Sequence, residues 1–116
     1  MKLATFIENG IPRVGRVEGE VVVDLTGSGL PIEMSVLFAA GSDAMKLAAT
    51  AAGEEFPVAE ITVCAPVLRP PKILAIGLNY KDHIEETGLD TPDFPMFFNK
   101  QSTAANGPYA PIHLPR

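Results

Sequence analysis

Eleven prolines are spread unevenly along the 116 residues, nine of them from Pro57 onward. Each fixes φ and removes a backbone donor, and each pushes the residue before it toward extended geometry. The sharpest point is Arg69-Pro70-Pro71, through which no helix can run. The later half is therefore confined to short strands, turns and brief helices. A domain boundary is expected here, with residues 1–65 a small β/α domain, 66–71 a Pro-rich linker and 71–116 the start of a second domain.

The first half has the patterning of a β-meander followed by a helix. Leu3 to Ile7, Val14 to Val17 and Val21 to Leu25 are candidate strands, the last dense in β-branched side chains that suit a pleated surface. Between them lie Asn9-Gly10 and Glu18-Gly19, pairs that tolerate the positive φ of tight hairpin turns. Ser42-Asp43 predicts a helix start, Ala44 to Ala52 is rich in helix formers, and Gly53 stands where a C-terminal cap would. Ile61 to Cys64 predicts a further strand. Met34, Val36, Leu37 and Phe38 are expected as core or as an interface patch. The fold class expected from the whole pattern is α+β, mainly β.

Charge and cysteine content narrow the function classes. Nine Lys and Arg face fourteen Asp and Glu, a net charge of −5. That balance does not favour a phosphate-backbone binder, which needs clustered cations, so no nucleic-acid partner is expected. Cys64 is alone, so no internal disulfide can form and no oxidising compartment is required. Its apolar neighbours suggest a small buried hydrophobe. The opening MKLATFIENG turns polar at Glu8, too early for a signal-peptide core, and no apolar run has the length of a membrane span. A cytoplasmic protein without membrane contact is the expectation.

The second half concentrates polar chemistry. Ile73 to Ile76 is expected as a compact buried strand running into Gly77-Leu78-Asn79-Tyr80, then Lys81 to Thr87 as a helix of two turns stopped by Gly88. Polar groups crowded behind a strand end are a frequent setting for binding and catalysis. His83 and Glu86, three apart, share a helix face and can touch. A carboxylate beside an imidazole fixes its tautomer and supports its positive charge, which suits a general base. The same spacing also describes an ordinary solvated pair. His83 and His113 are too far apart in sequence, and too poor in neighbouring ligands, to suggest a zinc site.

The stretch from Pro71 to Gly88 resembles the opening of the catalytic domain in the fumarylacetoacetate hydrolase family, with its strand followed by Gly-x-Asn-Tyr-x-x-His-x-x-Glu. Pro92-Asp93-Phe94-Pro95-Met96-Phe97-Phe98-Asn99-Lys100 is similar to the proline-rich loop and Phe-x-Lys segment that follow in that family. Gln101 to Pro108 is similar to its Ser/Thr-rich loop, and Ile112 to Pro115 to its return strand. The resemblance implies a mixed β-roll beginning near residue 71, joined to a small N-terminal domain. It also implies chemistry on small oxo-acids and acylpyruvates: C–C hydrolysis, decarboxylation or keto–enol isomerisation. By motif, His83 would be the base and Glu86 its partner, on a helix that often acts as a lid. Family members are commonly homodimers, so a homodimer is expected.

The resemblance further implies a divalent cation, Mg²⁺ with Mn²⁺ or Ca²⁺ as alternatives. Hard cations need oxygen ligands, and the family's Glu-x-Glu pair is absent from these 116 residues. The ligands are therefore expected C-terminal to Arg116, with Asp82 a candidate here. The chain is thus expected to be the N-terminal portion of a longer enzyme and inactive alone. Lys100 and Ser102 are candidate contacts for a substrate carboxylate, although a strand-end lysine and a turn-capping serine would have the same sequence. Asn79 is expected to make structural hydrogen bonds and Tyr80 to pack. A different class remains open, a non-catalytic binding or assembly domain.

Overall fold

A computed structural model describes residues 1–114. It divides into two compact units, one formed by Met1–Leu68 together with the chain from Ala105 onward, the other by Arg69–Ala104. Within the stretch 71–116, the described residues from Ala105 group with the first unit. There the backbone at Gly107 runs close to the Val63 carbonyl, and a Cβ at Gly107 would lie 3.2 Å from that oxygen.

In the first unit, strand β1 (Lys2–Glu8) pairs antiparallel with β2 (Ile11–Glu18), joined by Asn9-Gly10. Both turn residues have positive φ, 49° and 78°, the mirror-image turn whose twist matches paired strands. β3 (Val21–Asp24) continues the meander, and β4 (Glu55–Pro57) and β5 (Thr62–Val63) close the edges in the order β4-β3-β2-β1-β5. Two helices fill the excursion between β3 and β4: α1 (Met34–Ala39) and α2 (Gly41–Thr50). Their break falls at Gly41, whose φ of +84° a residue with a side chain rarely adopts.

Val14 and Leu25 from the sheet region pack with Leu30, Met34, Leu37, Ala48 and Ala51 to form the core. Burying a side chain such as Leu37, fully enclosed, contributes about 1.5–3 kcal/mol. Arg16 ties sheet to helix, donating to the Ala48 and Ala51 carbonyls at 2.7 and 2.9 Å. A cation on the unpaired carbonyls of a helix end is favourable on both hydrogen-bond and dipole grounds. Thr5 is buried and satisfied, its hydroxyl donating to the Pro66 carbonyl at 2.6 Å. Cys64 is half-buried, and burial pushes its thiol up, away from the thiolate a nucleophile requires.

Several expectations need correction. α1 covers residues anticipated only as an apolar patch; Met34 and Leu37 are buried while Val36 and Phe38 point outward, half exposed. α2 starts at Gly41 with no side-chain cap, so Ser42 is not its N-cap. Gly53 caps no helix either. A Cβ there would sit 1.8 Å from the Asp24 carbonyl oxygen, so glycine is required by the close passage of two backbones. The Ile61–Cys64 strand is reduced to two residues.

The second unit is an antiparallel hairpin of β6 (Ile73–Gly77) and β7 (Met96–Lys100), with α3 (Lys81–Thr87) between them. The compact buried strand expected at Ile73–Ile76 is corrected: Leu74 and Ile76 lie open, as do Met96, Phe97 and Phe98. Two strands cannot cover both of their own faces, and no residue from 69 to 104 is buried. The chain is mainly β with three α-helices among the described residues. No helix among those residues is long and apolar enough to cross a membrane.

Candidate active site

The chain leaves β6 through Gly77 and Leu78. Leu78 has φ of +50°, in the left-handed region that a bulky side chain seldom occupies. Tyr80 then returns to extended geometry and precedes α3 without a side-chain cap. The helix ends at Gly88, whose φ of +67° lets its N–H donate back to the Ile84 carbonyl at 3.1 Å. The Thr87 hydroxyl donates to the same oxygen at 3.0 Å. The C-terminal end of this seven-residue helix is thus set by left-handed backbone at Gly88, while its N-terminal end follows the extended Tyr80.

On α3, His83 Nδ1 lies 3.3 Å from Glu86 Oε2. The three-residue spacing brings the pair together as helical geometry requires. Both side chains are open, 56% and 80% exposed, so the contact itself adds little stability. With Nδ1–H donating to the carboxylate, Nε2 is the nitrogen left to accept a proton. Lys81 and Glu85 form a second exposed pair on the helix, at 3.7 Å.

The remaining candidates lie elsewhere. Lys100 closes β7 opposite Ile73, at the hairpin end away from the Leu78 junction, and its Nζ stands 5.9 Å from the Phe98 ring centroid. Ser102 opens a single exposed 3₁₀ turn, Ser102–Ala104. Asp82 is exposed in the first turn of α3. Tyr80, expected to pack, is instead 74% exposed. Among the described residues no three His, Cys, Asp or Glu side chains gather as a ligand set. The side chains present do not fit a hard divalent cation.

One open cleft of about 240 Å³ lies within this unit, between Ile76–Asn79 and Thr91–Pro95. Its walls are mostly apolar, with Asn79, Thr91 and Asp93 as polar groups. His83, Glu86, Lys100 and Ser102 are not among its lining residues. Neither the cleft nor the left-handed Leu78 was visible in the sequence, since leucine carries no turn signal.

Comparison with known proteins decides the family. Residues 72–116 match the model described as fumarylacetoacetate (FAA) hydrolase C-terminal, and residues 1–66 match the model described as Rv2993c-like, N-terminal. The chain belongs to the fumarylacetoacetate hydrolase family. It is 37% identical over 111 residues to mitochondrial oxaloacetate tautomerase Fahd2a of Rattus norvegicus, covering 90% of this chain and 36% of that protein. It is 42% identical over 66 residues to protein Rv2993c of Mycobacterium tuberculosis, covering 57% of this chain and 24% of that one.

Among family structures, an HpcE-type protein from Mycobacterium smegmatis superposes with a TM-score of 0.76 at 30% identity, over 96% of this chain and 40% of that one. Maleylpyruvate hydrolase from Sphingobium sp. SYK-6, in complex with manganese(II) and pyruvate, gives 0.68 at 29% identity, over 98% and 42%. The mainly β fold class expected from the sequence is that of these family structures. The chain spans little more than a third of the length of the tautomerase it matches.

Proposed function

We propose that the complete protein acts on a small oxo-acid, by keto–enol isomerisation or by hydrolytic cleavage or decarboxylation of an acylpyruvate-type substrate. The observation that carries this reading is the His83–Glu86 contact at 3.3 Å, on the helix that directly follows β6 in the family motif. The names of the family relatives, an oxaloacetate tautomerase and a maleylpyruvate hydrolase, support the substrate class. In isomerisation, His83 Nε2 takes a proton from the carbon beside the oxo group. It then returns that proton to the enolate oxygen or, in reverse, to carbon. In hydrolysis the same nitrogen takes the proton of an attacking water. Glu86 holds the imidazole through Nδ1 and stabilises its cationic form.

The complete enzyme is proposed to use a divalent cation, Mg²⁺ before Mn²⁺ or Ca²⁺, held by residues other than those described. The manganese in the Sphingobium hydrolase supports this. A homodimer is the proposed assembly, supported by the open faces of Met96, Phe97 and Phe98. The test is to assay the complete protein on oxaloacetate and on acylpyruvates before and after EDTA treatment. Turnover that is lost with chelation and restored by Mg²⁺ or Mn²⁺ is expected. Failure to turn over any oxo-acid in the presence of either metal would overturn the proposal.

A further inference from the structure

Helix α3 has no buried residue, and Ile84 alone on it is partly buried. Seven residues are too few to hold a helix direction by propensity alone. The direction in which α3 leaves the hairpin is therefore fixed at its connections, and the connection from β6 is unusual. Leu78 adopts φ of +50° between Gly77, paired with Met96 at the end of the ladder, and Asn79. For a bulky residue this backbone is costly and persists only where the surroundings impose it. Glycine would take the same conformation freely, so what leucine adds at this position is its side chain. Leu78 is one of the residues lining the cleft together with Thr91–Pro95.

We propose that Leu78 is a positioning residue. Its left-handed backbone sets the exit angle of α3, its side chain in the cleft wall locks that angle, and together they fix where His83 presents Nε2. This rests on the reading of His83 as the base. A displaced general base costs rate more than affinity, because substrate still binds while the proton-transfer geometry is lost. Leu78→Gly keeps the allowed φ but frees the joint. Asn tolerates the left-handed region better than other residues with side chains, so Leu78→Asn keeps the backbone geometry and much of the bulk.

The experiment compares the complete wild-type enzyme with Leu78→Gly, Leu78→Asn and His83→Ala. It reads kcat and KM on oxaloacetate, thermal midpoint, and hydrogen exchange at the Ile84 and Gly88 amides. Leu78→Gly is expected to lower kcat by about 10- to 100-fold, with KM little changed, the midpoint held or raised, and both amides as protected as before. Leu78→Asn is expected to recover most of the lost kcat. Three results would overturn the inference: wild-type kcat in Leu78→Gly beside an impaired His83→Ala, a rise in KM alone, or lost protection at Ile84 and Gly88. Unimpaired His83→Ala would instead overturn the reaction assigned to this helix.

Discussion

Asp24 offers a charge whose worth can be worked out from its contacts. It is 4% exposed at the end of β3 and accepts three hydrogen bonds. These come from Arg13 Nη1 at 2.5 Å and from the Thr26 N–H and hydroxyl, both at 2.8 Å. Burial pushes its carboxyl up, but the Thr26 N–H, the Arg13 guanidinium and the Thr26 hydroxyl together outweigh burial and hold it below its ordinary 3.8. Replacing it by Asn leaves one carbonyl for Thr26 but turns an amide donor toward the guanidinium. Because Arg13 is partly solvated and also meets Glu8 at 3.2 Å, the loss is that of an imperfectly paired buried group, about 2 kcal/mol.

The pH dependence has a definite sign. A carboxyl with a folded pKa below its unfolded value stabilises fully above the unfolded value, and the contribution fades as pH falls through the folded one. Urea unfolding followed by far-UV circular dichroism, from about pH 7 to about pH 2.5, should show wild type and Asp24→Asn separated by about 2 kcal/mol near neutrality and converging in acid. A gap that stays constant, or widens as pH falls, would refute the assignment of that stability to the ionised carboxylate.

Gly53→Ala should destabilise the first unit by more than about 2 kcal/mol, because its Cβ would overlap the Asp24 carbonyl; a urea midpoint equal to wild type would contradict this. Leu37→Ala, at a fully buried position, should cost about 2–5 kcal/mol by the same measurement. In the 116-residue chain, amides of β6, α3 and β7 should exchange well before those of β1 and β2, since no residue from 69 to 104 is buried; equal protection would show that the hairpin has a core of its own.

What could be read in the sequence was local. The Asn9-Gly10 turn follows from two residues that accept positive φ, and the His83–Glu86 contact from a three-residue spacing on a helix stopped by Gly88. The rest depended on partners distant in the chain. β4 contains Pro57 and only three residues, and exists because Val21–Val23 pair with it. α1 is too short to show helical periodicity, and Gly53 matters for a backbone approach rather than a cap. The Ile73–Ile76 run has the composition of a buried strand, yet burial requires covering layers, and within its own unit it has one partner strand. The left-handed Leu78 is imposed by its surroundings, which residue type could not reveal. The motif thus gave the helix and the pair it carries, while the cation's ligands are not found among the described residues.

The proposed chemistry stands most directly on His83. In the complete enzyme with saturating Mg²⁺ and oxaloacetate, His83→Ala should lower kcat by about 10²–10⁴, while metal affinity measured by calorimetry stays unchanged because the imidazole is not a ligand. Full activity in His83→Ala would contradict the reading and leave the pair at 3.3 Å as a surface contact on a structural helix.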